Sequence, residues 1–125
     1  IINITSAMVK TPKAPMGLST GARSGLTSVC KALSAEVAYA NVTINNLLPE
    51  RIDTDRQKFM ATMQSERQGI SMDEAYKQIA ATIAANRLGK PEEFGDACAY
   101  LCSAQAGFIS GQNLQIDGGS YEGLI

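Results

Sequence analysis

Hydrophobic positions along the chain change between strand-like and helix-like spacing. The segment 1–5 is mostly β-branched and apolar, which predicts a buried strand. From Gly17 to Ala40 the apolar positions recur every three or four residues, which predicts a long helix that ends at Asn41. The predicted core stripe of this helix consists of Leu18, Ala22, Gly25, Leu26, Val29, Leu33 and Val37.

The second half of the chain shows the same alternation. Val42–Leu48 is apolar on both faces, which predicts a strand in a sheet that is covered on both sides. The helices predicted after it are 57–66, 72–86 and one that begins at Pro91 with the buried stripe Phe94, Ala97, Cys98 and Leu101. A short third strand is predicted at 112–116.

This order of strands and helices predicts the fold class. Strands that alternate with helices form parallel sheets through right-handed crossovers, so we expect a doubly wound α/β fold with three strands and flanking helices. Three strands are few for that class, and the first strand would lack a neighbour on one side. The chain is therefore expected to be part of a larger domain.

Composition narrows the possible functions. The chain has 125 residues with 45% hydrophobic residues, enough for a packed core, and its 11 basic against 12 acidic residues leave a net charge of −1. That balance argues against a nucleic-acid surface, and the short apolar runs argue against a membrane-spanning helix. The three cysteines and the lack of a signal-peptide pattern predict a reducing, cytoplasmic location.

The residue types also limit the chemistry. Histidine is absent from the sequence, which excludes catalytic pairs of Ser or Cys with His and most transition-metal sites. Cys98 and Cys102 have a helical spacing that also suits metal ligands, but core packing is the better interpretation for them. No metal site is predicted.

Five motifs in order resemble the C-terminal half of a short-chain dehydrogenase/reductase. They are Asn3-Ile4-Thr5-Ser6, Gly25-Leu26 with Leu33-Ser34-Ala35-Glu36, Ile44–Pro49 with Thr54-Asp55, Arg87–Glu93, and Gly111-Gln112 with Asp117-Gly118-Gly119. The resemblance is greatest to 3-oxoacyl-carrier-protein-reductase-like members, including divergent ones. It implies a Rossmann-type fold and the NAD(P)-dependent interconversion of a small carbonyl compound and its alcohol.

The same resemblance implies what the chain lacks. Residues 1–125 correspond to the catalytic and substrate-binding half of one Rossmann-type domain, whereas the glycine-rich phosphate loop belongs to an N-terminal half that is absent. The 125 residues alone are therefore expected to be inactive and not to retain NAD or NADP.

Three residues occupy the family's catalytic positions. The family uses a Ser that hydrogen-bonds the carbonyl, a Tyr that supplies the proton, and a Lys that lowers the pKa of this Tyr and holds the ribose. The resemblance places Ser6 at the first position, and Ser19 and Arg23 where the family has Tyr and Lys. An alkyl hydroxyl ionises less readily than a phenol, and Arg stays protonated, so this pair differs chemically from the usual one.

Each catalytic assignment has a structural alternative. Ser6 could be a plain hydroxyl at a strand end, and Ser19 or its neighbour Thr20 could cap the start of the helix. Arg23 could be a ligand anchor or a solvated side chain.

The loop after the second strand holds the residues assigned to the cofactor. The resemblance implies that Pro49, Ile52 and Thr54 bind on the nicotinamide side. Glu50 stands where the family prefers Gly, which adds a carboxylate and forbids backbone shapes that only Gly adopts.

Two features predict a homo-oligomer, a dimer or a tetramer. The long helix carries apolar residues on more than one face, and the last strand, 112–116, would be a sheet edge. Besides the substrate, we expect no nucleic-acid or membrane partner. The alternative function is that of a catalytically impaired homologue that acts as a ligand-binding protein or as a structural partner in an oligomer.

Overall fold

The computed structural model describes residues 1–124, which form a three-stranded parallel sheet with helices packed on it. The strands are β1 (Ile2–Ile4), β2 (Asn45–Pro49) and β3 (Asn113–Ile116), in the spatial order β1-β2-β3. The predicted α/β class and the three predicted strands are confirmed. Within residues 1–124, β1 and β3 are both edge strands, as the sequence predicted.

Four α-helices accompany the sheet: α1 (Gly17–Val37), α2 (Asp55–Gln68), α3 (Met72–Ala80) and α4 (Pro91–Leu101). Short 3₁₀ turns lie at Ala7–Val9, Ala14–Met16, Ala38–Ala40 and Ala104–Ala106. None of the helices in the described part of the chain is both long enough and apolar enough to cross a membrane.

Two predicted boundaries were wrong by several residues. α3 ends at Ala80 rather than at residue 86 because the next turn closes with tighter bonds, such as the 3.1 Å bond from Thr82 N–H to the Ile79 carbonyl. β2 begins at Asn45 rather than at Val42. The amide of Ile44, just before it, donates to the Ser110 hydroxyl at 3.2 Å, so loop contacts hold this segment.

The two faces of the sheet differ in chemistry. On one face the core consists of Leu47, Leu101 and Ala106, with the half-buried Cys98 packed against them as predicted. On the other face lies a row of three asparagines from the three strands. The Asn3 amide donates to Asn46 Oδ1 at 3.2 Å, and the Asn46 amide donates to Asn113 Oδ1 at 2.8 Å.

The predicted core face of α1 is wrong. The predicted stripe lies outside the core, with Leu18 96% and Val29 56% exposed. The buried residues of α1 are instead Thr20, Thr27, Cys30 and Ser34. Asn3 donates from its amide to Cys30 Sγ at 3.1 Å, so α1 turns its small and polar side towards the asparagine row.

Candidate active site

The carboxyl ends of the three parallel strands meet at one edge of the sheet. Ser6 follows β1, Glu50 and Arg51 follow β2, and Asp117 follows β3. In open parallel sheets this edge is where ligands bind, because the connecting loops diverge there and leave a crevice. Of the predicted site residues, Ser6 and those that follow β2, Ile52 and Thr54, belong to loops at this edge.

Ser6 caps the short 3₁₀ turn that follows β1. Its Oγ accepts a hydrogen bond from the Met8 N–H at 3.2 Å, and the side chain is half-buried. Among the residues that the structure describes, its hydroxyl donates to no other atom. The capping role thus uses a lone pair of Ser6 and leaves its proton available to a carbonyl oxygen.

Ser19 and Arg23 lie inside α1 and contact each other. Nη1 of Arg23 donates to the Ser19 hydroxyl oxygen and, at 3.2 Å, to the Ser19 carbonyl. Both side chains are half-buried. α1 also contacts the Ala7–Val9 turn that Ser6 caps, which brings the helix to the same edge of the sheet.

The alternative that Ser19 or Thr20 caps the start of α1 is wrong. The helix begins at Gly17 with Met16 at its N-cap, so Ser19 is already the third helical residue. Thr20 is 7% exposed, and its Oγ1 has no hydrogen-bond partner among residues 1–124. Neither hydroxyl satisfies the first free amides of the helix.

The three residues assigned to the nicotinamide side line one cavity. Pro49, Ile52 and Thr54 share a cavity of about 230 Å³ with Ile4, Pro91 and Phe94. The lining is apolar apart from Thr54, whose hydroxyl makes only a 3.4 Å contact with the Ile52 carbonyl. A flat heteroaromatic ring with one polar substituent suits such a surface.

Gly89 holds the cavity loop in place. The amide of Asp53 donates to the Gly89 carbonyl at 2.8 Å, and the Gly89 amide donates to the Arg51 carbonyl at 3.1 Å. A Cβ on Gly89 would lie 2.7 Å from Ile52 Cδ1, so the end of the Ile52 side chain would have to move if residue 89 carried a side chain.

An ion pair fixes the turn on the other side of Gly89. The Glu93 carboxylate accepts two hydrogen bonds from Arg87, at 2.7 and 2.8 Å, and one from the Lys90 amide at 2.8 Å. The hydrogen bonds from Arg87, followed by the one from the Lys90 amide, lower the pKa of Glu93 to about 2. The carboxylate therefore stays ionised, and the turn stays paired, throughout the neutral range.

In the loop after β2, Glu50 avoids the backbone shapes that only Gly adopts, as expected. The positive φ of this loop falls on Arg51, at +54°, while Glu50 continues from the strand. A left-handed backbone is costly for a long side chain. Arg51 was not among the predicted site residues, and its one signal in the sequence is its position directly after the residue where the family prefers Gly.

Within residues 1–124 no group of three or more Cys, Asp or Glu side chains lies close enough to hold a metal ion. The Cys102 side chain is exposed at the end of α4, so of the two α4 cysteines only Cys98 packs in the core.

Comparison with known proteins agrees with this architecture. A family model described as enoyl-(acyl carrier protein) reductase matches residues 1–121. The chain is 35% identical over 124 residues to the NADPH-dependent reductase BacG of Bacillus subtilis, covering 99% of this chain and 48% of that protein. It is 32% identical over 121 residues to the 3-oxoacyl-[acyl-carrier-protein] reductase FabG of Vibrio cholerae, covering 97% of this chain and 45% of FabG.

A solved structure shows the same fold. The crystal structure of a short chain dehydrogenase family protein from Francisella tularensis superimposes with a TM-score of 0.85 at 28% identity, covering 96% of this chain and 50% of that one. The chain thus spans about half the length of the relatives it matches. With the strand order, the site edge and the family model in agreement, this chain belongs to the short-chain dehydrogenase/reductase family.

Proposed function

We propose that the protein containing this chain is an NAD(P)-dependent carbonyl reductase or alcohol dehydrogenase of the short-chain type, similar to 3-oxoacyl reductases. Ser19 and Arg23 replace the usual Tyr and Lys. The contact between the Arg23 guanidinium and the Ser19 hydroxyl carries this proposal, because a cation and a hydroxyl meet there on the helix that contacts the turn capped by Ser6.

The reaction needs a hydride on the carbonyl carbon and a proton on its oxygen. A bound nicotinamide cofactor supplies the hydride. Ser6 donates a hydrogen bond to the carbonyl oxygen and polarises it. Ser19 delivers the proton and recovers one from solvent, while the positive charge of Arg23 stabilises the Ser19 oxygen during the transfer.

The cavity of Pro49, Ile52 and Thr54 fits the nicotinamide end of the cofactor. Its apolar walls suit the ring, and the exposed Thr54 hydroxyl is free to bind a carboxamide. Gly89 hydrogen-bonds to the Arg51 carbonyl and to the Asp53 amide, which lie on either side of Ile52. The N–H and C=O of Ile52 itself therefore face away from Gly89. NADPH is the cofactor class named for the relative BacG.

The remaining contacts to the cofactor are proposed to come from outside residues 1–125. This chain is then the catalytic and substrate-binding half of a Rossmann-type domain, and by itself it is inactive and does not retain NAD or NADP. The proposed location is the cytoplasm, where the free thiols of Cys30, Cys98 and Cys102 stay reduced.

The alternative is a catalytically impaired homologue that binds a ligand or serves as a structural partner in an oligomer. The replacement of Tyr and Lys by Ser19 and Arg23 favours it, because neither new residue reproduces a phenol of tunable pKa.

Titration of the complete protein separates the two functions. For the reductase we expect NADPH fluorescence to change on binding, and a panel of small ketones to oxidise the bound NADPH. Binding without turnover of any ketone would instead support the impaired homologue. The Ser6→Ala variant is the control, since it should bind NADPH and lose most of the turnover.

The exposed stripe of α1 supports the proposed homo-oligomer, a dimer or a tetramer. Leu18, Leu26, Val29 and Leu33 are all exposed in this chain, and a helix normally buries such a stripe against a partner. We propose that a second copy of the complete protein covers this face.

Glutamate substitutions on α1 test the interface. Val29→Glu with Leu33→Glu is expected to dissociate the complete protein, because two charges would be desolvated at the interface. Light scattering measures the change. Ala81→Glu with Ala99→Glu is the control, since both residues are exposed outside α1. An unchanged oligomer after the α1 substitutions, or a monomeric parent, would exclude this interface.

A further inference from the structure

Two thiols lie side by side at the carboxyl end of α4. Cys98 is in the last turn of this helix, and Cys102 is its C-cap residue. The Cys102 amide donates to the Cys98 carbonyl at 3.1 Å, so the helical spacing extends as far as Cys102. Residues four apart in an α-helix are neighbours on one face. The helix therefore directs both thiols to the same side.

The two thiols differ in exposure but interact with each other. Cys98 is half-buried at the rim of the core, whereas Cys102 is exposed. Burial raises the pKa of the Cys98 thiol, and the charge of Cys102 and a hydrogen bond with it raise this pKa further. A hydrogen bond between two thiols requires their sulfur atoms to be in contact. A single atom that binds two sulfurs can thus bridge the pair.

The space beside Cys102 is open in this chain. Cys102 lines a cavity together with Ile1, Ile2 and Thr43, where β1 and β2 begin. The residues of the candidate active site follow the carboxyl ends of the same strands. The thiol pair therefore lies at the opposite edge of the sheet from that site.

The surroundings of the pair limit what it can bind. Within residues 1–124 no third Cys, Asp or Glu side chain joins the two thiols in a metal-binding group, and Cys30 is buried on α1. Sulfur ligands select soft centres. A trivalent arsenic atom that carries one organic substituent is such a centre, and it needs two further bonds, both to sulfur. Two adjacent thiols without a third ligand match this requirement.

We propose that Cys98 and Cys102 form a dithiol site for trivalent arsenicals with one organic substituent, R–As=O. Each thiol forms one As–S bond and gives up its proton, and the two protons leave with the arsenic-bound oxygen as one water molecule. Arsenic stays trivalent, so the step needs no oxidant or reductant. The exposed Cys102 reacts first because reagents in solvent reach it, and Cys98 then closes the ring.

Phenylarsine oxide tests this site in the complete protein. We expect mass spectrometry to show an adduct formed with loss of one water, which an excess of a dithiol removes and an equal amount of a monothiol does not. Cys98→Ala and Cys102→Ser should each lower the affinity about 10²- to 10⁴-fold, because the second As–S bond forms within the complex that the first has made.

The third cysteine of the chain supplies the matched control. Cys30→Ser removes a thiol that is buried on α1, away from the pair, and should leave the affinity for phenylarsine oxide unchanged. Cys102 is exposed, so its substitution tests the site without disturbing the core. No adduct with the parent protein, or equal affinity in the parent and in Cys102→Ser, would refute the proposal. Mass spectrometry requires no turnover, so failure of the reductase function would leave this result valid.

Discussion

Ser19→Tyr combined with Arg23→Lys is expected to raise ketone reduction by the complete protein about 10²- to 10⁴-fold, the usual contribution of general acid catalysis. The two positions share one face of α1, and their side chains are already in contact. A phenol has an ordinary pKa of about 10, and a neighbouring cation lowers it towards neutral pH, whereas an alkyl hydroxyl stays far above that range.

Steady-state turnover with saturating NADPH measures this gain. The single variants Ser19→Tyr and Arg23→Lys should each give less than the double variant, because each lacks one member of the pair. Ser28→Tyr, on an exposed part of the same helix, should give no gain. If the double variant binds NADPH normally and its turnover is unchanged or lower, Ser19 and Arg23 do not occupy the proton-donor site.

Asn46→Ala is expected to lower the free energy of unfolding of the complete protein by about 2–4 kcal/mol. Asn46 is 2% exposed and links the outer strands, with its amide donating to Asn113 and its carbonyl oxygen accepting from Asn3. Removing it leaves the Asn113 oxygen without its protein donor, while Asn3 keeps only its bond to Cys30 Sγ. Buried polar groups without partners account for most of the expected loss.

Urea unfolding measures this change. Asn41→Gly is the matched control, since Asn41 is exposed and has φ +59°, a conformation that Gly adopts without strain. We expect that variant to stay within about 1 kcal/mol of the parent. A loss in Asn46→Ala no larger than in Asn41→Gly would show that the asparagine row does not stabilise the sheet.

Much of the local structure could be predicted from the sequence because short-range chemistry decides it. Asn41 ends the long helical segment in a left-handed conformation, Gly69 ends α2 in the same way, and Pro91 opens α4. Ser71 caps α3 by accepting from the Glu74 amide, and the spacing of Ser71 and Glu74 is that of a capping box. Each signal depends on residues within one turn, and the tertiary contacts of this chain leave these four unchanged.

Part of the candidate site could be predicted as well. A spacing of four residues on a helix was enough to bring Ser19 and Arg23 together, and the motif after β2 grouped Pro49, Ile52 and Thr54. Arg51 could not be placed in this way. Its place beside Glu50, Lys13 and Asp117 depends on how three loops that are distant in sequence meet at the sheet edge.

The long helix α1 shows most clearly what the sequence determined and what only the tertiary structure decided. Its periodicity determined that a helix forms and that Leu18, Leu26, Val29 and Leu33 share a face, because side chains three and four apart lie together on any α-helix. Which face meets the sheet was decided only by packing. The sheet presents the half-buried amide of Asn3 to α1, and Cys30 accepts its hydrogen bond. Thr27 and Ser34, which bond to carbonyls of α1 itself, are buried on the same side, so this side faces inwards and the apolar stripe is left outside.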